Sequence, residues 1–279
     1  MKISRVTSAG VAAALAVACG LALPAARAAL NDPPKSAPAF LTAEQIADKS
    51  VEVRGGLPAW QKIATIIWVG HLESQRSPVP SLPFRLEEKR PGKSRFEINE
   101  PSQRSLRVFN GTSGWKMKLG QDGHPDVKPF SAQEIRFARS APGLEGPLID
   151  FRAKGTTLTL EGIEESEGRK TYRIGVKLGT GDQQTVWVDA ESFLESRYDR
   201  TAFSKTGTKG TISVRFRDYK EVEGLALPSV FEISGGAGGK PDRMLIERVA
   251  LNPAIDDHDF DDLGSPRGRA SAEPRTAPR

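Results

Sequence analysis

Apolar residues recur at every second position through most of this chain and at helical spacing only near its start and middle. Alternation runs through 67–72, 84–87, 95–98, 106–109 and 115–119, and it resumes after Gly155 in 157–160, 171–178, 185–189, 194–198, 211–216, 225–233 and 244–251. Successive side chains of an extended strand point to opposite faces, so a period of two predicts strands with one apolar face each. Pro91-Gly92 and Asn110-Gly111 separate consecutive runs, which predicts local hairpins and an antiparallel sheet. A sheet of roughly a dozen strands must curl or close on itself.

Helical signals flank and interrupt this pattern. Thr42 stands before Ala43-Glu44-Gln45, and a helix through Ile46 and Val53 is expected to stop at Gly55-Gly56. A short second helix over 58–62 starts at Pro58. In mid-chain, Ser131-Ala132-Gln133-Glu134 opens a short helix before Pro142-Gly143, and an apolar segment over 147–151 follows it. The class expected from these elements is mainly β with a few helices, in one domain over 42–263.

The chain's first residues carry a different pattern. Lys2 and Arg5 precede an Ala/Val/Leu run over 9–23, then Pro24 and Ala26-Arg27-Ala28. Charge, a short apolar core and a small-residue site predict a secretory signal peptide over 1–28, cut near Ala28. Cys19 is the only cysteine, so that cut would leave a mature chain without disulfides. The alternative is lipid anchoring at Cys19, because Ala16-Val17-Ala18-Cys19-Gly20 is similar to a lipobox. No other stretch is apolar enough for a transmembrane span. The Pro- and Ala-rich 29–41 reads as an unstructured lead-in, and 264–279 as a disordered basic tail.

Charge changes one inference. The formal net charge is +5; removing Lys2, Arg5 and Arg27 takes away three positive charges, and the tail's four arginines against Glu273 remove three more. Residues 29–263 are therefore near −1, with the signs interspersed. Such a core lacks the basic face that nucleic acid requires.

Residues able to do chemistry are scattered. His71, His124 and His258 lie far apart, and no cysteine would remain to complete a zinc site, so neither a metal nor another cofactor is expected. The acidic run 256–262 lacks the glycine and distal glutamate of a calcium loop. Gly111-Thr112-Ser113-Gly114 has the wrong spacing for a nucleophile elbow. No phosphate-receiving helix follows the glycines at 235–239. Glu87-Glu88 and Glu164-Glu165 are neighbours in sequence and so point to opposite faces of a strand. No acid and base are assembled, and the chain is expected not to be an enzyme.

What remains is a surplus of large apolar side chains. Phe96 and Ile98 share a face, as do Trp115 and Met117, Leu158 and Leu160, and Ile174 and Val176. Two readings stand side by side: an ordinary solid core, or the lining of a cavity for an acyl chain. In the second, Leu148, Ile149 and Phe151 of the middle segment would form a lid.

Several motifs resemble those of the periplasmic outer-membrane lipoprotein carriers and their receptor relatives, the LolA-like and LolB-like proteins. The run 88–98, with Lys89-Arg90-Pro91-Gly92 leading into Arg95-Phe96-Glu97-Ile98, resembles the carrier's turn and the aromatic strand after it. Val108-Phe109-Asn110-Gly111-Thr112-Ser113-Gly114-Trp115 is similar to the family's glycine-then-tryptophan hairpin. The runs 55–60, 146–151, 189–195 and 251–253 resemble the wider set of exported carrier-like proteins.

The resemblance spans about Thr42 to Phe260. It implies an unclosed antiparallel half-barrel whose concave face is covered by helices and holds lipoprotein acyl chains. It also implies an inner-membrane donor, an outer-membrane acceptor, and a latch role for Arg90 in the closed lid. By its residues alone Arg90 reads by default as a solvated arginine pairing loosely with glutamate in the charged stretch 87–93. The expectation is a non-enzymatic periplasmic carrier. The alternatives are an envelope interaction scaffold or sensor domain with no ligand cavity, and a hydrolase whose site leaves no motif.

Overall fold

The computed structural model describes residues 41–75, 77–100, 103–119, 124–203, 207–235 and 240–263. The expected signal segment, Cys19, most of the lead-in and the 264–279 tail lie outside the described residues. Met1–Phe40 and Leu41–Arg279 are separate units, and every described element belongs to the second.

Two helices come first, α1 (Ala43–Val53) and α2 (Leu57–Gln61). Thr42 Oγ1 accepts from the Gln45 N–H at 3.2 Å while the Thr42 N–H donates to Gln45 Oε1 at 2.8 Å, so both ends of the capping box close. Gly55 ends α1 at φ 109°, and a Cβ there would stand 2.5 Å from the Gly224 carbonyl oxygen. Only glycine fits that turn.

The first run of strands is β1 (Thr65–Glu73), β2 (Leu82–Lys89), β3 (Lys93–Glu100), β4 (Gln103–Phe109), β5 (Gly114–Leu119) and β6 (Pro125–Pro129). Helix α3 (Ala132–Arg139), capped by Ser131 and Glu134, and an irregular stretch over 140–156 interrupt the sheet. The second run is β7 (Thr157–Ser166), β8 (Arg169–Lys177), β9 (Gln183–Asp189), β10 (Glu195–Phe203), β11 (Lys209–Val222), β12 (Leu225–Gly235) and β13 (Asp242–Leu251). A 3-10 helix, Asp257–Phe260, follows.

All strands belong to one sheet in the order β6-β5-β4-β3-β2-β1-β13-β12-β11-β10-β9-β8-β7. Each run is an antiparallel meander, and pairing of the first strand, β1, with the last, β13, joins the two. β6 and β7 stay at the edges, so the sheet is an open half-barrel. β6 departs from the sequence reading. Its five residues hold one apolar side chain besides the two prolines, Val127, so alternation gave no sign of it. Its terminal prolines suit an edge, where ladder donors are not needed.

The concave face carries two clusters of buried side chains. In one, Ile46 and Ala47 of α1, with Leu148 and Phe151, seat on Leu158, Ile174, Val176 and Val186. In the other, Trp60 of α2 and Ile149 lie with Ile66, Trp68, Phe84 and Met244. A third cluster lies on the convex side of β1–β5, where Ile255, Phe260 and Leu263 cover Ile67, Leu106, Val108 and Met117. The convex side of β8–β13 is polar instead, with Arg217 pairing Glu167 and Glu232, and Arg173 pairing Glu161 and Glu164.

Candidate functional site

A cavity of about 1050 Å³ lies on the concave face beneath the stretch that follows α3. That is the upper end of the ~300–1,000 Å³ range of small-molecule sites. Its floor comes from the junction of the two meanders: Trp68 and Leu86 from one, and Phe216, Phe231, Met244 and Ile246 from the other. Phe231 is the centre of an aromatic chain, edge-on to Trp68 (centroids 5.7 Å apart, 89° between planes) and to Phe216 (5.5 Å, 82°). Tyr198 stacks on Phe216 at 5.6 Å. These contacts hold the rings in one arrangement and make the floor stiff. The mouth is edged by the β2–β3 turn at Pro91 and Gly92, the β4–β5 turn at Asn110 and Gly111, and the β8–β9 turn at Gly179 and Thr180.

The roof contains Leu144, Glu145, Gly146 and Pro147. Buried charge ties it down. The Glu145 carboxylate receives Arg90 Nη2 at 2.7 Å and Lys154 Nζ at 2.6 Å, and Arg90 Nη2 also donates to the Trp60 carbonyl at 3.1 Å. Burial lowers the Lys154 pKa against the pull of Glu145. Beside this contact, Arg54 donates to the Glu145 carbonyl at 2.9 Å and to Glu195 Oε1 at 2.8 Å, and it stacks over the Trp60 ring at 4.7 Å. Burial raises the Glu195 pKa and Arg54 opposes it. A buried pair of this kind specifies geometry more than it stabilises, because desolvation cancels much of the attraction.

Two further polar groups reach the apolar wall. Burial pushes the Glu88 carboxyl up to about 7, against the Trp68 Nε1–H that donates to it at 3.1 Å and with help from the nearby Glu145 charge. Arg200 donates from Nη1 to the Phe137 carbonyl at 3.0 Å and lies 3.5 Å from the Phe137 ring centroid.

The structure scatters the residues singled out from sequence. Register decides this. Trp68, Leu86, Phe96, Arg107 and Lys116 form one inward row across β1–β5, and Ile67, Glu87, Arg95, Val108 and Trp115 form the adjacent outward row. Trp115 and Met117 therefore face the convex side, opposite to Phe96 and Ile98, and pack with the C-terminal cluster. This corrects their expected place in a shared lining: period two shows which residues of one strand share a face, but not which face is inner. Phe96 and Ile98 do face inward, half-buried against the Trp60 cluster, and are absent from the cavity wall.

Leu158, Ile174 and Val176 are buried under α1, with Leu160 packed against them, also away from the wall. Leu148 and Phe151 join that cluster and Ile149 joins the Trp60 cluster, so the middle segment's apolar side chains anchor it to the sheet. Arg90 does lie on the cavity wall and meets Glu145 of the roof. Sequence reasoning passed over Trp68, Phe216, Phe231 and Met244. Each alternates as a strand residue should, and nothing in the pattern marks its row as the hollow one.

Among the described residues, no group of three or more His, Cys, Asp or Glu side chains could hold a metal ion, and no helix is long and apolar enough to cross a membrane. His71 pairs with Glu247 and His258 with Asp261. Asp257 is held down to about 2 by Lys93 and Lys89.

An open, helix-covered antiparallel half-barrel with an interior cavity is the class of protein that this geometry defines. No family model and no curated protein matches the sequence. Among solved structures, the chain shares its fold with a DUF1329 family protein from Desulfovibrio piger: TM-score 0.51, 12% identity, covering 80% of this chain and 98% of that one. It is also similar to a LolA superfamily protein from Nitrosomonas europaea (0.49, 14%, 80% and 98%). An outer membrane lipoprotein-sorting protein domain from Vibrio parahaemolyticus is similar as well (0.49, 12%, 78% and 96%).

Proposed function

We propose that this chain is a non-enzymatic periplasmic binding protein that carries an acyl-chain ligand, such as a lipoprotein's, in the concave cavity. The observation that carries this reading is a hollow of about 1050 Å³ floored by packed aromatic and aliphatic side chains in the middle of an otherwise well-filled sheet. Each buried CH₂ is worth about 0.8 kcal/mol, so one long chain on such a floor would supply micromolar affinity or better after the costs of binding. The stretch over 140–156 serves as the lid, anchored by Leu148, Ile149 and Phe151, with Arg90 on Glu145 as its latch. In the envelope such a carrier would receive its load from an inner-membrane donor and pass it to an outer-membrane acceptor. The expected signal peptide supports that location.

The test is native mass spectrometry of protein purified from its own envelope, followed by thermal melting with a palmitoylated lipopeptide after delipidation. A co-purifying lipid and a raised melting temperature are expected. Protein that carries no lipid and whose melting is indifferent to every acylated compound would refute the carrier. Stoichiometric capture of a protein partner by that lipid-free form would point to the scaffold.

A further inference from the structure

Nearly every arginine on the inner side of the sheet is matched. Arg54 has Glu195, Arg90 has Glu145, and Arg107 has Glu134. Two cavity-wall arginines are exceptions among the described residues: the exposed Arg139, which donates to the Thr112 carbonyl, and the half-buried Arg200, which pairs with no carboxylate. The one hydrogen bond of Arg200 goes to the Phe137 carbonyl, and its Nε is buried without a partner.

Its position is specific. On β10 its row neighbours are Gln184 of β9 and Ile212 of β11, with Tyr198 two residues before it on the same face. Phe137 of α3 covers it from above. Arg200 is a wall residue of the main cavity and also of a second, smaller one of about 230 Å³.

The two cavities differ in character. The smaller is lined by Arg136, Ser140, Gln184, Thr201 and Lys209, with Asp182 as its one carboxylate. Asp182 is committed to Arg136 at 2.9 Å. The Gln184 amide donates to the Ser140 carbonyl at 2.6 Å, and its Oε1 is buried without a partner. A half-buried cation with an unused donor, beside an apolar hollow and a cationic polar one, suits a molecule with an oily body and an anionic head.

Resting on the carrier reading above, we infer that Arg200 forms an anion subsite, and that the ligand is an acidic amphiphile whose carboxylate or phosphate head meets its guanidinium while the tail lies along the aromatic floor. A guanidinium matches the planar, two-oxygen edge of such heads, and the low polarity around Phe137 strengthens the contact. The Gln184 Oε1 would accept from the O–H of a singly ionised phosphate head. With a neutral ligand this charge would gain nothing for its desolvation.

The experiment is displacement of the uncharged fluorophore N-phenylnaphthylamine from the full mature chain by dodecyl phosphate, dodecanoate and dodecanol. Both anions are expected to displace it at concentrations at least about tenfold below dodecanol, as one charge-assisted contact allows. Arg200→Gln should remove that preference, bringing both anions to the level of dodecanol, and Arg200→Lys should keep part of it. Dodecanol matching the anions on the wild-type protein, a comparison that needs no variant, would overturn the subsite and leave the carrier standing. So would an Arg200→Gln protein that weakens all three compounds alike, since that marks a structural role. Inorganic phosphate raising the melting temperature as much as dodecyl phosphate would mean a free-anion site and would also overturn it. If neither the fluorophore nor any alkyl compound binds, the carrier reading fails and takes the subsite with it.

Discussion

The two halves of the concave face are built from the same alternating strands, yet one is filled and the other hollow. Over β7–β9, α1 lies in the trough, and Ile46, Ala47, Leu148 and Phe151 close on Leu158, Ile174 and Val176. Over β10–β13 and β1–β2, the face bears larger rings, Trp68, Phe216 and Phe231, and the cover of Trp60, Leu144 and Ile149 leaves a hollow above them. An apolar strand face demands cover, and here the cover fills the trough on one side and leaves a hollow beneath the 144–147 roof on the other. A hollow floored by contiguous apolar side chains is the feature on which the proposed carrier function rests.

The largest effect expected from that contrast is in paired truncations. Ile46→Ala in the filled half should cost about 2–5 kcal/mol in urea unfolding, because it opens a void among fixed neighbours. Met244→Ala in the hollow half should cost less, about 1–2 kcal/mol, since on its cavity side it enlarges a space already present. Equal losses would abolish the distinction.

A smaller effect separates Glu88, which unlike Glu145 and Glu195 has no cation paired to it among the described residues, from its apolar neighbours. Glu88 ionises near pH 7 in the folded chain, whereas an unfolded glutamate ionises at about 4.3. The stability tied to its protonated form is complete below the unfolded value and is lost as pH rises through the folded one. Glu88→Gln, which can still accept from Trp68, should therefore match the wild type near pH 4 and exceed it by about 1–3 kcal/mol at pH 8 in urea titrations. A gap that stays constant with pH would mean that Glu88 meets water and not a dry wall.

The smallest thermodynamic effect is expected at the roof. Arg90 is about a third exposed (32%), so Arg90→Gln should change stability by about 1 kcal/mol or less. Release of a bound alkyl fluorophore should quicken by about fivefold, the equivalent of that energy. Stopped-flow dilution measures it, and an unchanged release rate would show that the Glu145 contact does not hold the lid.

Much of the architecture was legible because its signals are local. The capping boxes at Thr42 and Ser131 close as their sequences suggest, and both turns at Pro91-Gly92 and Asn110-Gly111 join adjacent antiparallel strands. Phe260, the one aromatic residue in the acidic run 256–262, is fully buried. The site was legible only in kind. Trp115 and Met117 alternate as cleanly as Phe216 and Phe231, but the first pair lies under the C-terminal segment and the second on the cavity floor. The Arg90–Glu145 contact joins residues 55 positions apart across the open side of the sheet, where no periodicity operates.

By itself the sequence determined the helices, the hairpins and the mainly β class, since each is settled by neighbours a few residues away through capping, turn conformation and the two-residue period of a strand. Only the tertiary structure decided which apolar rows face inward, where α1 stops covering them, and that the half-buried Arg200 meets no carboxylate among the described residues. Those depend on register summed across thirteen strands, and a shift of one residue at any pairing would exchange the inner row for the outer.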